Sequence, residues 1–488
     1  MKLLKIWQRP VFALALAGVC CASSALAAVI PFPKTPAGRL AELRLQAFNS
    51  GRADLLEAFK SAHDPNLSVE NELGLRNMTG GLDLVRISQT GPYRVSLVLR
   101  EKDGDRVGTM ELEVDDQKPE QVKSFRLAPM PVVPDDLMPQ RLSSQQAWQQ
   151  LTRKADNLVK AGRFSGVFAV ARNGVLLHSQ SWGEADRERK LNNTMQTRFR
   201  LASMYKMLTA VAILQLAEQQ RLALDVPIAR YLPSYPNQSL ANQVTIHQLL
   251  THTAGTGDIF TEEYEKQRDS IREHQDYIAL FGARAPAFVP GSKEAYSNYG
   301  YVLLGAIIEA VTGKSYHSAI QDAILTPAGM RDTGSEPESQ VARQISVGYT
   351  HAESGLVDNR KSLPWRGTAA GGGYSTAGDL IRFSHALLQG RLLSASWLAK
   401  ATQAQTTSQL YAYGFQLGGS ANTRHYGHEG GADGMNGALR VYPATGDVVI
   451  ALSNFDPPAA GELVQYYGNR MPLRVPVKMS TTQKGKTK

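Results

Sequence analysis

The sequence predicts a mixed α/β (α+β) protein, in which an antiparallel sheet is flanked by terminal helices and carries an inserted all-helical subdomain. A small α+β domain precedes this unit. Three observations lead to the prediction. Strand patterns joined by turn signals occur at both ends of residues 143–472, helical patterns fill the middle of that region, and a separate set of helix and strand patterns occupies 33–128. Strands at both ends with helices between them are typical of one sheet closed by terminal helices.

Residues 1–27 have the pattern of an export signal that is cleaved from the mature protein. Lys2, Lys5 and Arg9 give a positive start, residues 11–19 are apolar, and Ala25-Leu26-Ala27 supplies small residues for cleavage. The apolar stretch is too short for a membrane span, and no later stretch is long enough. We therefore expect a periplasmic or secreted protein with no stable membrane span.

The two cysteines of the chain, Cys20 and Cys21, both lie in this export signal. A mature chain without thiols has no cysteine nucleophile, no disulfide framework and no thiolate metal site. A lipid anchor at Cys20 is the alternative. Val19, which precedes it, is not the small residue that such an anchor favours.

The formal net charge of +9 is concentrated at the two ends of the chain. Three basic residues lie in the export signal, and four lysines without an acid lie in residues 478–488. The rest of the chain is close to neutral and has no basic stripe interleaved with aromatic residues, which argues against a nucleic-acid partner. The tail 478–488 is typical of a solvated, disordered end.

The small domain over 33–128 reads as two helices followed by an antiparallel meander. Residues 36–48 and 55–59 have helical patterns, and alternating apolar residues on either side of Asp103-Gly104 predict a hairpin. This layout resembles the cone-shaped nuclear-transport-factor-like fold. Prolines at four positions then stiffen a linker over 129–142: Pro129, Pro131, Pro134 and Pro139.

The larger unit, 143–472, begins with a helix over 144–161 and a hairpin of strands 167–170 and 175–178 around Asn173-Gly174. A mostly helical middle follows. A second hairpin, of strands 437–442 and 447–453, and a helix beginning near Glu462 close the unit.

Ser203 and Lys206 are the first candidate pair for chemistry. A spacing of three residues places both side chains on one face of a helix that runs through residues 211–216. A serine hydroxyl needs a neighbouring base to become a nucleophile, and a lysine can be that base only if burial or nearby positive charge lowers its pKa. The apolar neighbours of Lys206 favour burial. The alternative is a helix N-cap serine beside an unrelated surface lysine.

Two further groups of residues could complete a site. Tyr296 and Asn298 lie on a turn before a helical stretch, where the tyrosine could relay a proton and the asparagine could hold Lys206 or a substrate carbonyl. His428-Glu429-Gly430-Gly431 leads into the C-terminal hairpin, and glycines in a strand permit close approach of a ligand to the backbone. A packing tyrosine and a surface histidine are the alternative interpretations.

Taken in order, Ser203-x-x-Lys206, Tyr296-x-Asn298 and His428-x-Gly430 resemble the three motifs of the serine β-lactamase and penicillin-binding-protein superfamily. The resemblance is to the class C β-lactamase-like esterases and D-amino-acid peptidases and covers about 145–470. It implies a β-lactamase/transpeptidase-like fold, with Ser203 as the acylated nucleophile, Lys206 as its base and Tyr296 as a partner in proton transfer. The family pattern also implies an oxyanion hole formed by the N–H groups of Ser203 and Gly431.

One departure from the family pattern bears on the substrate. Penicillin-recognising members have Lys-Thr-Gly at the third motif, whereas this chain has His428-Glu429-Gly430. A Glu429 carboxylate that faced the cleft would disfavour an anionic substrate and would favour neutral esters, or amides and peptides that present an amine. This expectation places β-lactam and D-Ala-D-Ala carboxypeptidase activity in doubt.

We expect no metal and no cofactor. His247 with His252, and His425 with His428, could be read as metal pairs, but the chain has no H-E-x-x-H motif. The glycine run that begins at Gly371 lacks the lysine of a phosphate-binding loop.

The function expected from the sequence is that of an exported serine hydrolase that cleaves esters or amides of small molecules, peptides or cell-wall-derived compounds. The alternatives are a penicillin-binding, β-lactamase or D-Ala carboxypeptidase activity, an acyltransferase that uses an acceptor other than water, and an inactive protein that binds a cell-wall ligand.

Overall fold

A computed structural model describes residues 30–130, 133–341, 345–420 and 423–472 of the chain. The predicted export signal and the predicted basic tail lie outside the described residues. No helix in the described ranges is both long and apolar enough to cross a membrane.

The N-terminal segment consists of three helices followed by four strands: α1 (Pro36–Ser50), α2 (Ala53–His63), α3 (Val69–Thr79), β1 (Leu82–Thr90), β2 (Arg94–Glu101), β3 (Val107–Val114) and β4 (Val122–Pro129). The strands form one antiparallel sheet in sequential order. The apolar face of α1, with Leu40 and Phe48, packs on Leu97 of β2 and Leu112 of β3 in a common core.

We expected two helices and an antiparallel meander here and located only the hairpin around Asp103-Gly104, so α3 was missed and the strands β1 and β4 were not located. α3 is polar and contains Gly74, and its ends are set by the Ser68 side chain and by Gly80 at a φ of 69°. β1 is mostly exposed beyond its first residues and shows little apolar alternation.

The larger part of the chain is built on a six-stranded antiparallel sheet with the order β13-β14-β15-β16-β5-β6. Its strands and the smaller ones are β5 (Gly166–Arg172), β6 (Val175–Trp182), β7 (Glu184–Asp186), β8 (Leu191–Asn192), β9 (Phe199–Arg200), β10 (Tyr349–Ala352), β11 (Gly355–Asp358), β12 (Tyr374–Ser375), β13 (Gln416–Gly418), β14 (His425–Ala432), β15 (Met435–Tyr442) and β16 (Asp447–Ser453). Strands from both ends of the region thus share one sheet, as predicted. The turn between β5 and β6 has a positive φ at both Asn173 and Gly174, as a two-residue hairpin requires.

The helices of this part are α4 (Ser144–Lys160), α5 (Lys206–Glu218), α6 (Gln238–Ala241), α7 (Ile246–Leu250), α8 (Glu262–Gln267), α9 (His274–Phe281), α10 (Asn298–Thr312), α11 (Tyr316–Ile320), α12 (Thr326–Ala328), α13 (Glu338–Val341), α14 (Ala377–Leu388), α15 (Ala395–Ala401) and α16 (Ala459–Arg470). α4 and α16 pack together on one face of the sheet, where Leu151 and Leu463 share a core with Phe168 of β5. The opposite face packs on a larger core that includes α5, α10 and α14. The predicted α/β class is therefore confirmed, with Ser203 and Lys206 between the sheet and the helical layer.

Candidate active site

Ser203 lies in a single 3₁₀ turn, Ala202–Tyr205, which leads directly into α5. The sequence predicted that Ser203 opens the helix, and the structure places it in the turn just before. Ala202 has a φ of 44°, a strained conformation for a residue with a side chain, which persists only where the surrounding structure holds it. Gly371 packs closely here, since a Cβ at Gly371 would lie 3.0 Å from the Ala202 carbonyl oxygen.

Lys206 is the first residue of α5, and its side chain is fully buried. Its Nζ lies 3.2 Å from Ser203 Oγ and 2.6 Å from Asn298 Oδ1, and it also contacts the Ala370 carbonyl oxygen. Burial lowers the pKa of Lys206 to about 7, although the Asp258 carboxylate acts in the opposite direction. A large fraction of this side chain is therefore a neutral amine at neutral pH.

The partners of the neutral amine determine where its lone pair points. An amine has two N–H donors and one lone pair, and the Asn298 amide oxygen and the Ala370 carbonyl can only accept. These two acceptors take the N–H groups. The lone pair is then left for the proton of the Ser203 hydroxyl.

The orientation of the Asn298 amide is set by Asp258. One carboxylate oxygen of Asp258 accepts from Asn298 Nδ2 at 3.1 Å, and the other accepts from the Asn298 backbone N–H at 3.1 Å. Because a carboxylate only accepts, the amide nitrogen faces Asp258 and the amide oxygen faces Lys206.

Tyr296 lies over Lys206, with its ring centroid 4.8 Å from Nζ, and it is 44% exposed. Desolvation of its hydroxyl raises the pKa of Tyr296 well above the ordinary value, and hydrogen bonding with Ser203 lowers it in part. Tyr296 is therefore a neutral phenol at neutral pH. Lys206 is the member of the pair that titrates near neutrality.

Buried His252 supports the segment that bears Tyr296 and Asn298. Its ring centroid lies 4.2 Å from that of Tyr296, and its Nδ1 accepts from the Ser297 backbone N–H at 3.1 Å. Burial lowers the pKa of His252 well below the ordinary value, and the charge of Lys206 acts in the same direction. The ring is thus a neutral packing group and hydrogen-bond acceptor.

Strand β14 brings the third motif against the Ser203 turn. A Cβ at Gly430 would lie 2.2 Å from the Leu201 carbonyl oxygen and 3.2 Å from the Met204 nitrogen, so this approach requires glycine. His428 lies on the same face of the strand, and its ring centroid is 6.5 Å from that of Tyr296.

Both ring nitrogens of His428 are engaged within the protein. Nδ1 contacts the Glu429 carbonyl oxygen, and Nε2 lies 3.0 Å from the Tyr411 hydroxyl. Because the carbonyl only accepts, Nδ1 carries the proton and Nε2 accepts from Tyr411. Burial lowers the pKa of His428 to about 3. His428 thus supplies no positive charge at neutral pH.

The Glu429 side chain points to the opposite face of the strand. Its Oε2 lies 3.4 Å from Arg106 Nη2, and its Oε1 lies 3.7 Å from Arg440 Nη2. A Cβ at Gly461 in α16 would lie 3.2 Å from Glu429 Oε2. Successive side chains of a strand point to opposite faces. The condition under which Glu429 would disfavour anions and favour amines, a side chain that faces the cleft, is therefore not met.

The Gly431 N–H points toward the edge of β14 that faces β13. The Glu429 N–H donates to the Gln416 side-chain oxygen of β13 at 3.0 Å, and N–H groups two residues apart point the same way along a strand. β13 pairs with β14 only as far as Gly427, so Gly431 lies beyond the paired part of this edge.

Three residues near the site were not identified as site residues from the sequence. His252 belongs to a segment that the family resemblance includes, and Ala370 directly precedes the glycine run at Gly371. Neither showed a spacing that indicated its contacts. Asp258 belongs to no motif, and only the fold brings it to Asn298.

No group of three or more potential metal-ligating side chains occurs within the described ranges. His247 Nδ1 lies 2.8 Å from the Tyr413 hydroxyl, and His252 packs among aromatic rings. The site residues therefore offer hydrogen bonding and acid–base chemistry rather than a metal-ligand set.

A family model described as beta-lactamase matches residues 151–469. Esterase EstB of Burkholderia gladioli is 34% identical over 200 residues, which are 38% of this chain and 51% of that protein. The solved penicillin binding protein from Bacillus halodurans is 28% identical, with a TM-score of 0.58, over 63% of this chain and 97% of that one. The D-stereospecific amidohydrolase from Streptomyces sp. is 27% identical, with a TM-score of 0.55, over 64% of this chain and 96% of that one.

The fold and these comparisons define a serine hydrolase of the class that includes penicillin-binding proteins, esterases and D-stereospecific amidohydrolases. The chain belongs to the beta-lactamase family, whose model covers more than half of its length. The predicted family and the predicted enzyme class are thereby confirmed.

Proposed function

We propose that this protein is an exported serine hydrolase that cleaves ester or amide bonds through an acyl-serine intermediate on Ser203. The observation that carries this proposal is the contact between Lys206 Nζ and Ser203 Oγ at 3.2 Å, with the lysine pKa near 7. A base whose pKa lies near the working pH is in the correct protonation state and still accepts a proton effectively.

In the acylation step, the lone pair of Lys206 takes the Ser203 hydroxyl proton as Oγ attacks the substrate carbonyl. The tetrahedral oxyanion is bound by the N–H groups of Ser203 and Gly431. Removing one such donor typically costs about 10²–10³ in rate. As the intermediate collapses, the proton passes through the Lys206 and Tyr296 pair to the leaving alcohol or amine.

In the deacylation step, water attacks the acyl-serine carbonyl and the same pair accepts its proton. The bond between the acyl carbon and Ser203 Oγ then breaks, and the pair returns the proton to Oγ. Tyr296 is neutral, and its hydroxyl interacts with Ser203, so it can pass a proton between Ser203 and the leaving group or water without ionising itself. Lys206 and Tyr296 act as one coupled unit in both steps.

The third motif favours substrates that are neutral near the scissile bond. His428 stands where penicillin-recognising members have a lysine, and it is buried, neutral and engaged with Tyr411. A substrate carboxylate therefore has no cation to bind at this position. Glu429 does not contribute to this preference, because it is held by Arg106 and Arg440 on the other face.

The test is a panel of neutral short-chain esters, D-amino-acid amides and β-lactams, assayed with the wild type and with Ser203→Ala. We expect hydrolysis of esters or amides by the wild type and a loss on the order of 10⁴–10⁶ in turnover for Ser203→Ala. Ser239→Ala, at an exposed serine of α6, is the matched control and should keep wild-type activity.

Each alternative function has its own outcome in this panel. Strong cephalosporin hydrolysis with little action on esters would favour a β-lactamase or carboxypeptidase. New products on addition of amine or alcohol acceptors would favour an acyltransferase. No turnover and no labelling by a fluorophosphonate would favour a binding protein. A drop below tenfold in Ser203→Ala would mean that another serine is the nucleophile.

Export is proposed from the pattern of residues 1–27, which combines a basic start, an apolar stretch and small residues before a cleavage point. The measurement is the N-terminal sequence of the protein recovered from the periplasm or the medium. A new N-terminus just after Ala27 would support export, and an intact N-terminus in the cytoplasm would contradict it.

A further inference from the structure

The Ala370 carbonyl that contacts Lys206 belongs to a tight turn over residues 368–371. The Thr368 N–H donates to the Gly371 carbonyl at 2.7 Å, and the Gly371 N–H donates back to the Thr368 carbonyl at 3.3 Å. The Ala370 N–H is taken by the Thr368 hydroxyl at 3.2 Å. These bonds close the turn on itself, but they do not fix its direction relative to α5.

Two buried side chains from outside the turn fix that direction. The Ala369 N–H donates to His274 Nε2 of α9 at 3.2 Å, and the Ala369 carbonyl accepts from the Thr209 hydroxyl of α5 at 2.7 Å. The fit is close, since a Cβ at Gly305 in α10 would lie 2.5 Å from His274 Nε2 and 2.7 Å from Ala369 Cβ.

The hydrogen bond to Ala369 also defines the state of His274. A ring nitrogen that accepts a hydrogen bond carries no proton, so His274 is neutral and its proton lies on Nδ1. Nδ1 is 3.4 Å from Glu309 Oε1, and the same carboxylate oxygen accepts from the Tyr316 backbone N–H at 2.9 Å. His274 is 2% exposed and has no contact with Ser203 or Lys206 among the bonds of the described residues.

We propose that His274 is a positioning residue for acyl transfer. By holding the Ala369 N–H, it aims the Ala370 carbonyl at Lys206, and this carbonyl takes one of the two amine N–H groups so that the lone pair faces Ser203. The inference rests on the function proposed above, because the direction of the Ala370 carbonyl matters to catalysis only if Lys206 is the base.

The test compares His274→Leu with His274→Gln. Leucine fills the site without an acceptor, whereas the side-chain oxygen of glutamine can accept from the Ala369 N–H. We expect His274→Leu to lower kcat on the order of tenfold to a hundredfold, because a small displacement of a catalytic group has effects of that size. KM should change little, since His274 lies outside the cleft. His274→Gln should stay within about twofold of the wild type.

The pH profile separates positioning from a structural role. In His274→Leu, the Lys206 ammonium loses a well-aimed acceptor, so the midpoint of the ascending limb of kcat/KM should move to lower pH even as the plateau falls. A variant that is merely less stable would lose active enzyme at every pH with an unchanged midpoint.

His317→Leu is the matched control. His317 is half-buried beside His274, at 6.5 Å between ring centroids, and its Nδ1 has no partner in the described part of the chain. Its replacement should leave the plateau and the midpoint unchanged. If His274→Leu does not fold, His274→Asn takes its place, because its shorter side chain does not reach Ala369.

The proposal is overturned if folded His274→Leu or His274→Asn keeps both the plateau and the midpoint of the wild type, or if His274→Gln loses as much as the others. A failure of the proposed function gives a different result. If Ser203 were not the nucleophile, Ser203→Ala would keep its activity, whatever the His274 variants do.

Discussion

Lys206 is fully buried and contacts three oxygen atoms that can accept a hydrogen bond. Burial disfavours the ammonium ion, whereas acceptors stabilise it. Burial outweighs the nearby Asp258 carboxylate, so the pKa falls to about 7. Lys206 can therefore act as a base at neutral pH.

The first prediction concerns the pH dependence of the reaction. Only the neutral amine takes the Ser203 proton, so kcat/KM should rise with pH through an apparent pKa of about 7 and level off above it. The Tyr296 phenol stays protonated over this range. The measurement is the kcat/KM of a neutral ester from about pH 5 to about pH 9.

Lys206→Arg tests whether Lys206 is the group that titrates near pH 7. A guanidinium remains protonated at every accessible pH, so the variant should lose on the order of 10²–10⁴ in rate. Its kcat/KM should also no longer rise with pH near neutrality. A wild-type profile that stays flat through pH 7 would contradict the role of Lys206.

The second prediction concerns the replacement of Asp258 by asparagine. Asp258→Asn removes the negative charge that raises the Lys206 pKa, so the midpoint of the kcat/KM profile should move to lower pH. The Asn298 amide also loses the acceptor that orients it, so the plateau should fall. The measurement is the same pH profile.

Asp269→Asn is the matched control for Asp258→Asn, since the Asp269 side chain is fully exposed in the short turn after α8. It should leave both the midpoint and the plateau unchanged. An Asp258→Asn enzyme with the wild-type midpoint would show that the carboxylate does not act on Lys206.

At the scale of elements, the site depends on how closely β14 approaches the Ser203 turn. Gly430 permits this approach, because a Cβ there would meet the Leu201 carbonyl oxygen at 2.2 Å. The close contact is between main-chain atoms of the strand and of the turn, so rotation of a side chain cannot relieve it.

The third prediction is that Gly430→Ala loses most of its activity, since β14 must move away from Ser203 and take the Gly431 N–H with it. The melting temperature should fall as well, because the displaced strand is in the central sheet. The measurements are turnover and thermal unfolding.

Gly74→Ala is the control, since a Cβ at Gly74 in α3 meets nothing within 4 Å. Equal activity in Gly430→Ala and the wild type would disprove the close approach.

The sequence predicted the elements that have strong patterns. The hairpin at Asn173-Gly174 formed as expected because two positive φ values suit those residues. α3 was missed because its sequence is mostly polar. Its position depends on packing against α1 and α2, which no local pattern reports.

The same contrast holds for the site. Ser203, Lys206, Tyr296 and Asn298 were found because their motifs stand in the family order, and the structure brings them together. The side on which Glu429 lies could have been predicted from strand alternation, because His428 and Gly430 share the other face. The contacts of Asp258 and His274 could not be predicted, because their partners lie 40 and 95 residues away in the sequence.

At the scale of the whole molecule, the β2–β3 hairpin docks the N-terminal segment on the back of the sheet. Asp105 of the connecting loop pairs with Arg470 of α16, and Asp103 pairs with Arg163 at 2.6 Å. Arg106 reaches Glu429 at 3.4 Å. The N-terminal segment therefore contacts the strand that carries the third motif, on the face opposite the cleft.

The fourth prediction concerns the strength of this docking. Asp105 is 9% exposed, and its loss leaves the largely buried Arg470 guanidinium without its carboxylate. Breaking a buried ion pair by removing one partner costs about 3 kcal/mol, so Asp105→Ala should lower the free energy of unfolding by about that amount. The measurement is urea denaturation at neutral pH.

Asp54→Ala provides the comparison, because Asp54 and its partner Arg52 are both well exposed. An exposed pair contributes little, so this variant should unfold like the wild type. Equal unfolding of Asp105→Ala and Asp54→Ala would show that the hairpin contact does not hold the N-terminal segment in place.

Acylation of Ser203 during turnover can be measured by mass spectrometry of the enzyme quenched in acid with an ester substrate or a fluorophosphonate. We expect an added mass on the peptide that contains Ser203, present in the wild type and absent in Ser203→Ala. An adduct on any other residue, or continued turnover by Ser203→Ala without an adduct, would contradict it.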